Sequence, residues 1–398
     1  MIYYWLSRWY GSFIVDENGD LETSINITLR NKSGVSWVLV PKNRSIKIKV
    51  IQGALVWKKR HRAFTSEGEE FIFYDNLTLW YIADNNLFQA LIFYNFSHGA
   101  FIIEPNGYFL SPQIGCPSGS HPIVRILFPS FFQISTSNIR LLSKPLRPFE
   151  AEIRYLEKYI SVSLPCENID RVIVQFSVLG DPEIIHLTRG SFTFETVKRY
   201  ELIALELLDL YERAYPELVN LFGVSLENVT IKFFLPKIEE FPLEVGGFIP
   251  FHPTSGLGAI NINIMYLRTV KGFLEIICLH ELVHHFLWRL GISPNLLWIH
   301  EGLANYVAIE LASKLGYQEV ANAFSKQLRI IALSLGDNLG FVQNWPLGHG
   351  DIRHYAAAYY IFYELGSRYG NLSFYRKVFS LVKISKINSD FDFIECLS

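Results

Sequence analysis

The stretch Lys271–Ala308, KGFLEIICLHELVHHFLWRLGISPNLLWIHEGLANYVA, reads as two helices joined by a short turn. In the first, His280-Glu281-Leu282-Val283-His284 sets two imidazoles one helical turn apart, so both leave the same face with Glu281 beside them. Apolar residues from Val270 to Leu290 cover nearly the whole circumference, the mark of a helix packed on all sides. Two His and a carboxylate buried there without partners would cost several kcal/mol, and coordination of a metal ion offsets that cost. A catalytic zinc normally takes three protein ligands and keeps a fourth position for water, so His280 and His284 are half a site. Gly291 stops the first helix and Ser293-Pro294 suits the entrance of the next. That second helix, expected at about Trp298 to Leu315, brings Glu301 back toward the pair.

By composition alone His-Glu-x-x-His would arise in roughly one chain in fifty, so the surrounding residues decide its meaning. Trp298-Ile299-His300-Glu301-Gly302-Leu303-Ala304 resembles the Trp-x-x-Glu-Gly-x-Ala segment of the aminopeptidase N-like gluzincins, a family of zinc metallopeptidases. The resemblance implies Zn2+ as cofactor, with Glu301 the third metal ligand beside His280 and His284, and a peptide or protein as substrate. Sixteen residues separate His284 from Glu301, a shorter spacing than the family's, which fits a tight turn over Gly291 to Asn295. Metal-activated water would be the nucleophile, and Glu281, adjacent to the first ligand, the general base.

The scissile carbonyl needs a further donor for its developing negative charge. His354-Tyr355-Ala356-Ala357-Ala358-Tyr359 resembles the helix of the same family that opens with Tyr-x-x-Gly, so Tyr355 matches its catalytic Tyr and Ala358 stands where it has Gly. His354 and His349 compete for the role, and the plain alternative is a tyrosine packing at a helix start. His285 and His300 read as bystanders. Asn305, one turn after Glu301, either orients a ligand imidazole or lies on a helix surface.

Departures from the family bear on the substrate. Its Gly-x-Met-Glu-Asn strand, whose Glu holds the free α-amine of an aminopeptidase substrate, is matched best by Gly258-Ala259-Ile260-Asn261-Ile262, which has Asn261 in place of the acid. Peptide binding by strand addition to this edge is expected, since it needs only unpaired backbone groups. Glu244 is a candidate substitute for the missing carboxylate. The chain ends soon after Tyr355, so a large carboxy-terminal helical domain is not expected, and cleavage within peptides should rival removal of the first residue. The competing class is a catalytically silent scaffold of the same fold, against which stands the intact Glu281.

A length of 398 residues suggests two or three domains, and a net charge of -2 argues against a polyanion or nucleic acid as partner. No apolar run is long enough to span a bilayer, and MIYYWLSRWYGSF lacks the features of a signal peptide, so cytoplasmic residence is the default. Asn-x-Ser/Thr sequons at Asn26, Asn31, Asn43, Asn76, Asn95, Asn228 and Asn371 keep export as the alternative, although turn-rich β structure collects these residues anyway. Cys116, Cys166, Cys278 and Cys396 are widely spaced, as suits reduced thiols.

Before the helices the chain is strand-like. Leu21 to Leu29, Ser45 to Ile51, Phe71 to Phe73, Leu87 to Tyr94 and Val124 to Phe128 are β-branched or aromatic runs cut by turn signals, with hairpin turns expected at Asn18-Gly19 and Asn31 to Gly34. Arg147 to Tyr159 fits either a helix or a strand. After Gly190 come a helical pattern from Thr196 to Phe222, strands at Val229 to Leu235 and Gly258 to Met265, and helices at Tyr317 to Leu335, Ile352 to Arg368 and Phe374 to Val382. The expected fold class is α+β: an antiparallel β-sandwich over residues 1–188, then a thermolysin-like gluzincin catalytic domain over 189–398 with a sheet-plus-helix upper lobe and a helical lower lobe.

Overall fold

The computed structural model describes residues 8–30, 33–42, 44–64, 70–117, 120–142, 150–166, 170–236, 245–252, 256–336, 338–345 and 350–397. The fold is α+β, with strands filling the first of two units, Met1–Pro182, and a small sheet and helices the second, Glu183–Ser398. The boundary expected after residue 188 would cut the strand Ile184–Arg189, which belongs to the second unit because it pairs along its length with Phe192–Val197.

Alternation builds the first unit. Leu21–Arg30 buries Leu21, Thr23, Ile25, Ile27 and Leu29 and turns the residues between them away from the core, as the period of two requires. It returns on Arg8–Val15 through a turn in which Asp16 Oδ1 accepts from the N–H groups of Asn18 and Asp20, both at 2.8 Å. Gly19 takes φ 86° there, a value Gly reaches without a Cβ clash. The larger sheet runs Glu152–Tyr155, Tyr159–Pro165, His121–Pro129, Arg8–Val15, Leu21–Arg30, Leu87–Phe96, Lys47–Gln52. The range left open between helix and strand is therefore a strand over Glu152–Tyr155, while residues 147–149 lie outside the described ones.

Two expectations are corrected. Arg8–Val15 pairs in parallel with His121–Pro129, so the sheet is not wholly antiparallel; the partners are far apart in the chain, where turn signals carry no information. Nor is there a hairpin after Arg30. Leu21–Arg30 already has a strand on either side, whereas Ser33–Pro41 pairs with Glu70–Ile82 in a three-stranded sheet completed by Ala54–Phe64. Asn31 and Lys32 lie outside the described residues. A third sheet is built on Val172–Val178 and Asn106–Leu110. All three share one core, to which Phe13, Ile25, Phe88, Leu79 and Val174 belong.

In the second unit the sheet order is Ile184–Arg189, Phe192–Val197, Val229–Phe234, Ile260–Asn263, Gly247–Phe248. Helix α1 (Glu201–Phe222) makes the crossover between the parallel strands Phe192–Val197 and Val229–Phe234, the connection parallel pairing needs. Thr196 and Val197, read as the start of that helix, instead finish the strand before it. Then follow α2 (Phe273–Leu290), α3 (Leu297–Ala312), α4 (Gln318–Ser334), α5 (Ile352–Tyr369), α6 (Leu372–Ser385) and α7 (Asp390–Leu397). The last, two turns long, shows too little periodicity to be read from sequence. Phe222 of α1 stacks on Phe286 of α2 at 5.2 Å and on Phe379 of α6 at 4.5 Å, which ties three helices into one core.

No helix among the described residues is long and apolar enough to cross a membrane. All four cysteines are buried free thiols. Of the sequon residues, Asn95, Asn228 and Asn371 are exposed, and Asn228 and Asn371 hold φ near 56° and 55°, a turn conformation Asn tolerates better than most residues. Asn31 and Asn43 lie outside the described residues.

Where α3 crosses α5, a Cβ on Gly302 would lie 2.5 Å from Phe362 Cδ2 and 2.8 Å from the carbonyl oxygen of Ala358. Backbone cannot yield as a flexible side chain can, so glycine is required. Gly302→Ala is expected to cost about 1–3 kcal/mol, seen as a lower midpoint of urea unfolding with an unchanged slope.

Candidate metal centre

The two-histidine spacing is held by a helix closed at both ends. The Gly272 N–H donates to Glu275 Oε2 at 2.7 Å at the start of α2, and Gly291, at φ 98°, ends it with its N–H on the Trp288 carbonyl at 3.0 Å. The chain is then pinned by Ser293 N–H donating to the Ile387 carbonyl at 2.8 Å. At the head of α3, Trp298 donates its indole N–H to Asp390 Oδ1 of α7 at 2.8 Å and stacks on Phe362 at 5.6 Å. The helix that sequence missed thus fixes the one that carries Glu301.

The three expected ligands converge. His280 Nε2 lies 3.1 Å from Glu301 Oε2 and 3.1 Å from His284 Nε2, and His284 Nε2 lies 3.7 Å from Glu301 Oε1. Two donors bound to one tetrahedral ion at about 2.0–2.1 Å would be about 3.3 Å apart, so one small ion fits the triangle. Two imidazole nitrogens and a carboxylate oxygen are also a donor set that zinc accepts.

Hydrogen bonds around the triangle decide which nitrogen faces inward. The Ile292 carbonyl can only accept, so His300 presents its Nε2–H to it at 3.3 Å and keeps Nδ1 as an acceptor. His284 Nδ1, 3.4 Å from that atom, must then carry the proton, which leaves the Nε2 lone pair of His284 directed at the cluster. His280 is oriented in the same way by Asn305, whose Oδ1 lies 3.1 Å from Nδ1. Outer partners of this kind set the tautomer and ring orientation of metal-binding imidazoles. His300, read as a bystander, therefore orients His284, and Asn305 is a buried partner of His280, not a residue on the helix surface. The signal for His300 was available: a buried His on the apolar helix α3 demands a partner for the same reason as those on α2. His285 takes no part, and its Nε2 is buried without a hydrogen-bond partner among the described residues.

Electrostatics follow from burial. Burial pushes His284 down to about 3, so it is neutral. Burial would lower His280 too, but its hydrogen bond to Glu301 and the charge of that carboxylate outweigh this and hold it above the usual range. Glu301 is drawn down to about 2 by the imidazoles of His284 and His280, against the effect of burial. His280 and Glu301 therefore compensate one another without a cation. For Glu281, burial together with the charge of Glu301 outweighs the pull of His280 and drives its carboxyl up to about 7.

Over Glu281 runs Gly247–Phe248, the last strand of the sheet: a Cβ on Gly247 would lie 2.7 Å from Glu281 Oε1. This corrects the expected binding edge, because Ile260–Asn263 is an interior strand with Val229–Phe234 on one side and Gly247–Phe248 on the other. Asn263 holds the edge in place, with its N–H on the Gly246 carbonyl at 2.8 Å and its Nδ2 on that of Val245 at 2.9 Å. Asn261 donates to the Ala259 carbonyl at 2.8 Å and to that of Phe248 at 3.4 Å, so its amide serves the sheet. Glu244 lies outside the described residues.

Tyr355, in the first turn of α5, lies near enough to the same cluster to feel its carboxylates. The charge of Glu301, with burial and the charge of Glu281, holds its phenol well above the usual range, and Trp345 packs edge-on to its ring at 4.9 Å. His354 is engaged elsewhere: its Nδ1 lies 3.0 Å from Asp351 Oδ1, the cap of α5, and its ring packs against Phe341 and Trp345 at 5.1 and 5.2 Å. His349 lies outside the described residues. Against known proteins, the chain matches no family model and no curated protein.

The donor triangle is expected to take up one divalent ion per chain when metal-stripped protein is titrated with zinc. His284→Ala should abolish stoichiometric uptake, and Asn305→Ala or His300→Ala should weaken it by about ten- to a hundredfold. Calorimetry reads each case.

Proposed function

We propose that the chain is a zinc-dependent peptidase, a reading carried by the convergence of His280, His284 and Glu301 beside the buried Glu281. Zinc held by those three side chains would polarise a carbonyl and lower the pKa of water toward neutrality. Glu281 takes the proton of the attacking water and delivers it to the leaving amine. It suits this task because it sits one residue from His280 and burial raises its carboxyl to about 7. Tyr355 keeps its phenolic proton beside two carboxylates and donates it in a hydrogen bond to the carbonyl oxygen as negative charge grows there.

The substrate main chain pairs with Gly247–Phe248, whose outer side carries no strand among the described residues. Gly247 leaves a path over Glu281 that a side chain would fill. A thermolysin-like arrangement of two lobes around the site accords with a sheet whose last strand meets α2, and with α3 and α5 delivering Glu301 and Tyr355 from beyond it.

Glu281→Gln should lower peptide hydrolysis by about a hundred- to ten-thousandfold while zinc content is unchanged; retained turnover would reject Glu281 as base. Tyr355→Phe should cut kcat by about a hundredfold or more with KM little altered. The choice of bond follows from Asn261, a neutral amide committed to the sheet that offers a substrate ammonium no counter-charge. A peptide with an acetylated amino terminus is therefore expected to be cut at least as fast as the free form, at internal bonds read by mass spectrometry. Stepwise loss of single residues from the free peptide alone would make the enzyme an aminopeptidase.

A further inference from the structure

The three-stranded sheet of the first unit has one face in the core; its other face is covered at the Leu39 end and open to solvent around Trp80. Leu77, Leu79 and Tyr81 on its central strand are buried, so the alternate residues Thr78, Trp80 and Ile82 point outward. Register then places Val35 and Trp57 on either side of Trp80, all three on the outer face. Trp80 is 53% exposed, Trp57 48% and Ile82 51%. Two indoles side by side with aliphatic neighbours form the kind of contiguous apolar surface that marks an interaction site.

Its charge says what covers it. Trp57 is followed on the edge strand by Lys58-Lys59-Arg60-His61-Arg62, and no Asp or Glu occurs anywhere from Pro41 to Ser66. The chain's net charge of -2 hides this local excess. Arg60 is engaged by Asp75 at 3.0 Å and Lys58 lies opposite the core residue Leu79, but Lys59 is exposed. Lys59 lies opposite Thr78 and so on the same face as the indoles.

We propose that this face docks peripherally on an anionic lipid bilayer, with Trp57 and Trp80 at the headgroup level and Lys59 on the phosphates. Tryptophan favours that boundary because its ring is apolar and its N–H polar, and juxtamembrane Lys is drawn to anionic lipid. A second copy of the chain fits worse, since an isologous contact would set two cationic edge strands together. Single-stranded nucleic acid would use the indoles for stacking and Lys59 for phosphate, but leaves Val35 and Ile82 without a role. The inference stands apart from the peptidase reading.

Flotation of the full chain with phosphatidylcholine vesicles, with and without phosphatidylglycerol, tests it. The protein should rise with the anionic vesicles and remain below with the neutral ones. Lys59→Gln should weaken anionic-vesicle binding by about fivefold, and Trp57→Ala with Trp80→Ala by about tenfold or more, with circular dichroism unchanged in both. Failure to float, equal flotation with both vesicle types, or variants that float like the parent would each overturn the proposal. So would a labelled single-stranded oligonucleotide, or a dimer in sedimentation, that depends on Trp57 and Trp80 while the vesicles go unbound.

Discussion

Two imidazoles and a carboxylate meet inside the second unit, where any one of them alone would be costly to bury. The structure around them answers that cost. His280 and Glu301 compensate one another at 3.1 Å, and the remaining polar atoms are satisfied outward through Asn305, His300 and the Ile292 carbonyl. Ile292 has a second duty, since the turn it begins is bridged to Ile387 ahead of α7. The short path from α2 to α3 is thus held by backbone pairing, and its geometry sets both the position of Glu301 and the tautomer of His284.

Close approach is the second requirement, and two glycines meet it. Gly302 lets α3 lie against the backbone of α5, one turn from Tyr355, and Gly247 lets the edge strand pass over Glu281. Each allows a chemical group to come nearer the cluster than any residue with a side chain would. Ala358, fully buried at the α3–α5 crossing, is small enough for this approach because the steric burden falls on Gly302 across the contact. The first unit uses glycine in the same way within an aromatic core: a Cβ on Gly107 would collide with Phe176 Cε2, and that ring stacks on Phe132 at 4.5 Å.

Much of this was legible locally. A helix fixes residues four apart on one face whatever surrounds it, so His280 and His284 could be paired from sequence, and the residues around Glu301 named the third member. Alternation likewise marked Leu21–Arg30 and Leu87–Phe96 as strands, because a half-buried strand imposes its period on its own side chains. Only the tertiary structure could decide the rest. That Arg8–Val15 lies parallel to His121–Pro129, that Gly247–Phe248 and not Ile260–Asn263 is the edge beside Glu281, and that His300 orients His284 are all facts about groups brought together from different elements. Periodicity reports how a segment meets its surroundings, whereas hydrogen-bond partners are chosen by which distant donor or acceptor the folded chain delivers.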